Sequence, residues 1–147
     1  MINTIWFLLG FFGTELISAA IHRWLMHGPL WFIHESHHKP GKGFFQRNDV
    51  FTLIFGGTGI FLLLGGVNDF GVGFWLGLGI SFYGVLYFFL HDMLVHRRVR
   101  GWATTRFSYF RALQRAHRAH HKWTEKRPSE SFGLLLFSRR YFGNSGK

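Results

Sequence analysis

The chain contains no cysteine and only seven acidic residues among its 147 residues. The absence of cysteine excludes disulfide bonds, thiolate metal sites and thiol nucleophiles. Any metal ion must therefore be held by imidazole, carboxylate or backbone oxygen groups. The shortage of acids leaves 17 lysines and arginines largely unbalanced, with a formal net charge of +10. Such a charge is typical either of a nucleic-acid-binding protein or of a membrane protein whose cations are gathered on one side.

Three long apolar segments, at about residues 4–25, 50–66 and 71–95, favour the membrane. A bilayer core of about 30 Å needs roughly 20 helical residues, so the second segment is near the short limit. The polar turn "VNDF" at residues 67–70 separates the last two. The apolar start lacks a basic region and continues directly into a histidine motif, so we interpret it as a retained helix rather than a signal peptide.

The lysines and arginines are confined to one side of this three-span arrangement. The N-terminus and the 67–70 turn, which lie on the opposite side, contain neither residue. By the positive-inside rule the charged side, including the C-terminus, is cytoplasmic, and nucleic acid is not needed to explain the charge. Residues 107–121 read as a basic amphipathic helix at the membrane surface. We therefore predict an all-α integral membrane bundle, a single domain spanning 1–147, with about three transmembrane helices plus interfacial helices in the bacterial cytoplasmic (inner) membrane.

All ten histidines fall into four motifs, in the order HxxxxH, HxxHH, HxxxxH and HxxHH. They are His22, His27, His34, His37, His38, His91, His96, His117, His120 and His121. Three spans place every one of them on the cytoplasmic face. On a helix, HxxHH projects its three imidazoles within about 100° of arc. The two histidines of HxxxxH are about 140° apart on an ideal helix, and could meet at a helix end or across a π-bulge.

This grouping predicts a metal centre. Imidazole binds iron, zinc, copper and nickel, and ten ligands exceed what one ion can use, which favours two metals. A structural zinc site usually takes four ligands, and a haem protein could use two histidines. The residue types alone do not identify the metal, nor do they divide the ligands between two ions.

Four acids are candidate partners of the metal-binding imidazoles. Glu15 lies inside the first span, two helical turns deeper than His22, where it could accept an N–H from an imidazole or make a polar contact between helices. Glu35 and Asp92 sit inside the motifs and could instead pair with nearby arginines. Asp49 opens the second span, where it could be a helix N-cap or first-turn acid. No catalytic residue is predicted beyond the metal ligands.

Several segments surrounding the motifs resemble one enzyme family. The segments "HRWLMHG", "LWFIHESHHKP", "RNDVF", "YGVLYFFLHDMLVH", "FRALQRAHRAHH" and "SFG" are similar to those of the bacterial β-carotene 3-hydroxylases, within the fatty acid hydroxylase and sterol desaturase superfamily. The resemblance runs from about Glu15 to Phe137. It implies a membrane-embedded, non-haem di-iron monooxygenase in which all ten histidines bind iron. It also implies O₂ as co-substrate, a ferredoxin-type electron donor, and conversion of β-carotene to zeaxanthin via β-cryptoxanthin by hydroxylation at C3 of the β-ionone ring.

Two alternatives stay open at this stage. Another hydroxylase or desaturase of the superfamily would act on a fatty acyl chain, a sterol or a different carotenoid. A non-enzymatic membrane protein that binds metal or haem belongs to a different class. A transporter of this kind should carry polar residues along a path across the bilayer, and the second span has almost none. Oligomeric state and substrate-lining residues are not predicted.

Overall fold

Helices make up all the regular structure in the part of the chain that the structure describes. The computed structural model describes residues 1–39, 43–98, 105–122, 126 and 130–143. In chain order the helices are α1 (Ile2–Ile21), α2 (Trp31–His38), α3 (Asp49–Gly65), α4 (Val72–Tyr87) and α5 (Ser108–His121), followed by a 3₁₀ turn at Arg139–Phe142. These described ranges contain no β-strand, which confirms the all-helical prediction.

The first and fourth helices end in π-helical segments, His22–Met26 after α1 and Phe88–Val95 after α4. The backbone N–H of His27 donates to the carbonyl of His22 at 3.0 Å, and that of His96 donates to the carbonyl of His91 at 2.9 Å. A hydrogen bond between residues five apart defines a π-turn, which has more residues per turn than an α-helix. Both HxxxxH motifs therefore lie on π-turns, and the wider turn brings their two histidines to the same side of the helix.

Among the described residues, two continuous helices are long and apolar enough to cross a membrane. They are Ile2–Met26 and Val72–Val95, and in each only 17% of the most apolar 18-residue window is buried. Because the core helix of a soluble protein is mostly buried, exposed apolar faces of this length match lipid better than water. The third predicted span corresponds to Asp49–Gly65, a shorter apolar helix of 17 residues.

Glycines bring α4 close to its neighbours. Gly10 of α1 lies against the backbone of Leu76, and Gly79 of α4 lies against the backbone of Phe7, so a side chain at either glycine would collide with main chain. Small residues allow apolar helices to approach closely where the surrounding lipid gives no hydrophobic driving force. The α3–α4 contact uses glycines in the same way. The packing fixes where the ends of α1 and α4 lie, and these ends lead into the two HxxxxH motifs.

Helix α5 confirms the predicted amphipathic helix and carries the last histidine motif inward. Its buried face comprises Ala112, Leu113, Ala116, His117 and His120. Leu113 packs with Leu90, Leu94 and Leu134, while Arg118 is exposed on the opposite side. This apolar contact anchors α5 beneath the π-helical end of α4, so that the second and fourth motifs face the first and third.

Candidate metal centre

The structure brings all ten histidines together. Nine form two adjoining groups, and the tenth lies between the groups. Cluster A comprises His22, His27, His34, His38 and His120, and cluster B comprises His37, His91, His96 and His117. Within each cluster the potential ligand atoms all lie within 4.8 Å of one another. The tenth, His121, lies between the clusters: its Nε2 is 3.2 Å from Nε2 of His37, and its ring stacks on His38 at 4.3 Å. The arrangement matches a site for two metal ions.

Each HxxHH motif supplies both clusters. On α2, His34 and His38 belong to cluster A, whereas His37 belongs to cluster B. On α5, His120 belongs to cluster A and His117 to cluster B. The two helices therefore link the clusters, while each π-helical HxxxxH pair stays within one of them. The HxxHH spacing thus lets a single helix supply histidines to both clusters, which the linear sequence does not reveal.

The imidazoles of cluster A are oriented mainly by backbone carbonyls. The Nδ1 atoms of three histidines donate to these oxygens: His22 to Phe132 (2.9 Å), His27 to Lys126 (3.4 Å) and His120 to Glu130 (3.1 Å). All three carbonyls lie in the segment that follows α5. This segment therefore fixes the ring orientation of three candidate ligands, as outer-sphere partners of metal-bound histidines do.

Side-chain oxygens orient three further imidazoles. The Nδ1 atoms donate to an amide or a carboxylate: His34 to Asn48 Oδ1 (2.7 Å), His37 to Gln46 Oε1 (3.3 Å) and His91 to Asp92 Oδ1 (2.7 Å). These oxygens only accept hydrogen bonds, so the proton of each neutral ring resides on Nδ1 and the Nε2 lone pair is left free.

The free Nε2 atoms converge on one another. Nε2 of His22 lies 3.0 Å from Nε2 of His34. Both rings donate through Nδ1 to an oxygen, so both Nε2 atoms carry lone pairs. Lone pairs this close repel unless a cation sits among them. A bound metal ion supplies that cation, and imidazole nitrogen is a suitable donor for iron, so the residues present fit a two-metal centre.

Burial keeps these imidazoles neutral. It lowers the pKa of His34 to about 3. It also lowers the pKa of His37 well below its usual value, with His96 and His91 adding to the effect. The pKa of His120 is lowered for the same main reason. Neutral imidazole is the form that coordinates metal, so the site is prepared to bind at neutral pH.

A chain of charges extends outward from cluster B. Asp92, which accepts from His91, lies 3.8 Å from the guanidinium of Arg98. The same guanidinium donates to Asp49 at 2.6 Å. Asp92 thus contacts both an imidazole and an arginine, while Asp49 acts one step further out. Asp49 also begins α3, where its carboxylate accepts the N–H of Gln46 at 3.0 Å.

Replacing Asp92 by asparagine keeps an oxygen near His91 but removes its charge. We expect metal affinity to fall by about 10–100-fold, the usual effect of losing an outer-sphere partner. Titration with a chelator, followed by metal analysis of the purified protein, measures the change. Asp69→Asn, in the exposed turn before α4, is the matched control. Equal metal retention in the Asp92 and Asp69 variants would show that the carboxylate does not support the site.

Glu15 ties the first span to the segment that follows α5. The side chain is only 1% exposed. Its carboxylate accepts the hydroxyl of Tyr83 at 2.6 Å and the N–H groups of Leu135 and Leu136 at 2.8 Å each, with the N–H of Leu134 at 3.3 Å. These contacts are to a hydroxyl and main chain rather than to an imidazole. Glu15 therefore acts on cluster A indirectly, by holding the segment whose carbonyls orient the rings.

Glu35 lies away from the centre although it sits inside a histidine motif. It pairs with Lys39 one helical turn later, at the surface of α2. The Lys39 ammonium, through its hydrogen bond and charge, lowers the pKa of this carboxyl below its usual value. An exposed pair of this kind contributes little to stability. The sequence-based alternative was a pair with a nearby arginine, and the partner in the structure is a lysine instead.

Sequence reasoning missed several partners of the imidazoles. Asn48 and Gln46 were not singled out, although the polar Asn48 stands immediately before Asp49 in the segment "RNDVF" and so offered a signal. Tyr87 was not assigned a role either, yet its ring stacks on His91 at 4.3 Å and its hydroxyl lies 3.2 Å from Nε2 of His91. The partners of His22, His27 and His120 are backbone carbonyls, which every residue has, so the sequence does not indicate them.

A cavity of about 470 Å³ opens onto both clusters. Its walls come from α1, α3, α4 and the segment after α5, and they are mainly apolar. His22, His34 and His37 line it, so it reaches cluster A and cluster B. A largely apolar pocket with a few convergent polar groups is the usual form of a small-molecule site. The arrangement can hold a hydrocarbon beside two metal ions.

These features define a class: an all-helical protein with two apolar helices of membrane-spanning length and a histidine-only centre able to hold two metals. The sequence matches the model of the family described as "Fatty acid hydroxylase" over residues 7–143. The chain therefore belongs to the fatty acid hydroxylase family. The family and the two apolar helices together identify a membrane-associated protein.

Curated relatives are similar over most of the chain. "Beta-carotene hydroxylase" of Pseudescherichia vulneris is 39% identical over 92% of this chain and 77% of its own length. The protein of the same name from Pantoea ananas is 41% identical over 84% of this chain and 70% of its own. "Beta-carotene 3-hydroxylase 1, chloroplastic" of Arabidopsis thaliana is 41% identical over 84% of this chain and 41% of its own. No solved structure matches the chain.

Proposed function

We propose that the chain is a β-carotene hydroxylase that places a hydroxyl group on C3 of the β-ionone ring. The observation that carries the proposal is the apolar cavity that ends at two histidine clusters. Bacterial and plant relatives named as β-carotene hydroxylases support the substrate class. The product would be zeaxanthin, formed by way of β-cryptoxanthin.

All ten histidines would hold two iron ions, with cluster A around one and cluster B around the other. His121, which contacts His37 and His38, would complete the set between them. Bound iron would activate O₂ so that one oxygen atom enters an unactivated C–H bond and the other leaves as water, with two electrons from a ferredoxin-type donor and two protons from solvent.

The protein's own residues would bind, orient and shield the substrate. The apolar walls of the cavity would exclude water from the ring, which a reactive metal centre requires. His22, His34 and His37 at the end of the cavity would set the position where C3 must lie. The Nδ1 hydrogen bonds hold these rings in place before substrate arrives, so little reorganisation is needed on binding.

The membrane arrangement we propose has three spans, with α3 as the shortest. The metal centre and the C-terminus would then face the cytoplasm of the bacterial inner membrane. We expect a reporter fused after residue 147 to be active in the cytoplasm and inactive in the periplasm. A reporter fused within the 67–70 turn should show the opposite pattern. A periplasmic C-terminus would contradict the three-span topology.

Pigment analysis tests the proposed activity. The chain is expressed with aeration in a bacterial host that accumulates β-carotene, and the carotenoids are separated by chromatography. We expect zeaxanthin or β-cryptoxanthin that is absent from the empty-vector control. Omission of O₂ should abolish both products.

Unchanged β-carotene would be interpreted with the iron content of the purified protein. About two irons per chain without product would support another substrate of the family, such as a fatty acyl chain, a sterol or a different carotenoid. Absence of bound iron under the same conditions would contradict the di-iron proposal itself.

A further inference from the structure

Two rows of residues line the cavity from facing helices, and each row has a glycine at its centre. The α3 row is Thr52, Gly56 and Ile60. The facing row is Ile80 and Gly84 of α4, continued by Phe88 at the start of the π-helical segment. Residues four apart lie on the same helix face. At 1.5 Å per residue, each row extends about 12 Å along its helix.

The two glycines lie level with each other. Three close contacts define how α3 and α4 align: Gly59 with Ser81, Leu63 with Gly77, and Gly66 with Phe74. From each pair to the next, the residue number on α3 rises by the same amount as the residue number on α4 falls, as expected of antiparallel helices. The same register, continued toward the histidines, places Gly56 opposite Gly84.

The helices separate at this level. A Cβ on Gly59 would lie 2.8 Å from the hydroxyl of Ser81, so the helices are in contact there. A Cβ on Gly56 or Gly84 would find no atom within 4 Å. The space belongs to the cavity, and it exists because neither helix places a side chain in it. Gly84 precedes His91 by seven residues, so the opening lies about 10 Å from the histidines along the helix.

We propose that Gly56 and Gly84 together select the end group that reaches the metal centre. The inference rests on the proposed function and extends it to specificity. A methylated cyclohexene ring is broader than an extended hydrocarbon chain, and it must occupy or pass this level to reach the histidines. The paired glycines provide that width. A side chain on either one narrows the opening and favours substrates with slender, acyclic ends.

The test compares leucine at the two cavity glycines with leucine at a neighbouring position of α3. Gly56→Leu and Gly84→Leu project into the cavity. Gly57→Leu adds the same side chain to α3 at an exposed position that has open space and does not line the cavity. Binding of β-carotene and of lycopene, a carotenoid without rings, is followed in the purified full chain by quenching of tryptophan fluorescence. Iron content and hydroxylation of β-carotene are measured on the same preparations.

We expect Gly56→Leu and Gly84→Leu to lower the affinity for β-carotene relative to lycopene by about tenfold or more, as overfilling a packed site does. Iron content should not change, and Gly57→Leu should match the wild type. Alanine at either position adds only one methyl group and should give a smaller shift of the affinity ratio in the same direction. The alanine variants replace the leucine variants if the latter fail to insert into the membrane.

Three results would overturn the proposal. One is an unchanged ratio of β-carotene to lycopene affinity in both cavity variants, the second is the same shift of that ratio in Gly57→Leu, and the third is a shift of the ratio in favour of β-carotene. Failure of the proposed function has a different signature, namely a wild-type protein that does not hydroxylate β-carotene. In that event the binding ratio still decides whether the glycines select between ring-ended and acyclic ligands.

Discussion

Glu15→Ala should lose both stability and activity, because it removes the acceptor of four hydrogen bonds inside the bundle. Three of the donors are main-chain N–H groups of residues 134–136, which cannot move away independently. Each buried donor left unpaired costs about 1–3 kcal/mol, so we expect a destabilisation of about 3 kcal/mol or more. The segment after α5 would then no longer present the carbonyl of Phe132 to His22. Bound iron and hydroxylation should fall together.

Two variants separate this role from a general effect of mutation. Glu15→Gln keeps one accepting oxygen and should fall between the wild type and alanine in thermal stability. Leu16→Ala changes the next residue, whose side chain is 60% exposed on the lipid-facing side, and should have little effect on iron or turnover. Thermal unfolding in detergent, iron per chain and product formation are the measurements. Wild-type values for all three in Glu15→Ala would contradict the anchoring role.

Removal of a single imidazole from either cluster should abolish hydroxylation. His120, which is fully buried in cluster A, and His37, in cluster B, are the most informative positions. Loss of a ligand should exceed the roughly 10–100-fold effect of losing an outer-sphere partner. We expect His120→Ala and His37→Ala to give no detectable zeaxanthin, with membrane insertion unchanged and iron reduced from two toward one per chain.

Exposed residues on the same helices provide the controls for these variants. Arg118→Ala lies on α5 beside His120, and Glu35→Gln lies on α2 beside His37; both should retain turnover and iron. Full activity in His120→Ala or His37→Ala would remove that residue from the ligand set. Loss of activity in Glu35→Gln would place that acid within the site, contrary to its contact with Lys39.

The helical class and the grouping of the histidines could be predicted because both follow from local spacing. The i, i+3, i+4 spacing of HxxHH and the apolar runs are local properties that a helix expresses directly. For the HxxxxH motifs, the sequence allowed either a π-turn or a helix end. The choice depends on how α1 and α4 meet the rest of the bundle. The division of His34 and His37 between clusters depends on the position of α5, which no local pattern encodes.

The surroundings of the site were harder to predict than its candidate ligands. Asp92 was recognised because it is adjacent to His91 in the chain. Glu15 was recognised as unusual, because a buried acid in an apolar helix needs partners. Three of its four partners are main-chain groups about 120 residues away, so the sequence could not name them. Gln46 was overlooked since an amide in a loop is unremarkable until its neighbour is known.

The backbone carbonyls that orient cluster A have a consequence for how this protein can change over time. Every residue has a carbonyl, so the centre does not depend on the identity of the exposed Lys126 and Glu130 for these hydrogen bonds. Substitutions there leave the acceptors in place. A one-residue insertion or deletion between His121 and Phe132 would shift the spacing of these acceptors and displace at least one of them. Natural variation in this segment should therefore alter its composition freely while conserving its length.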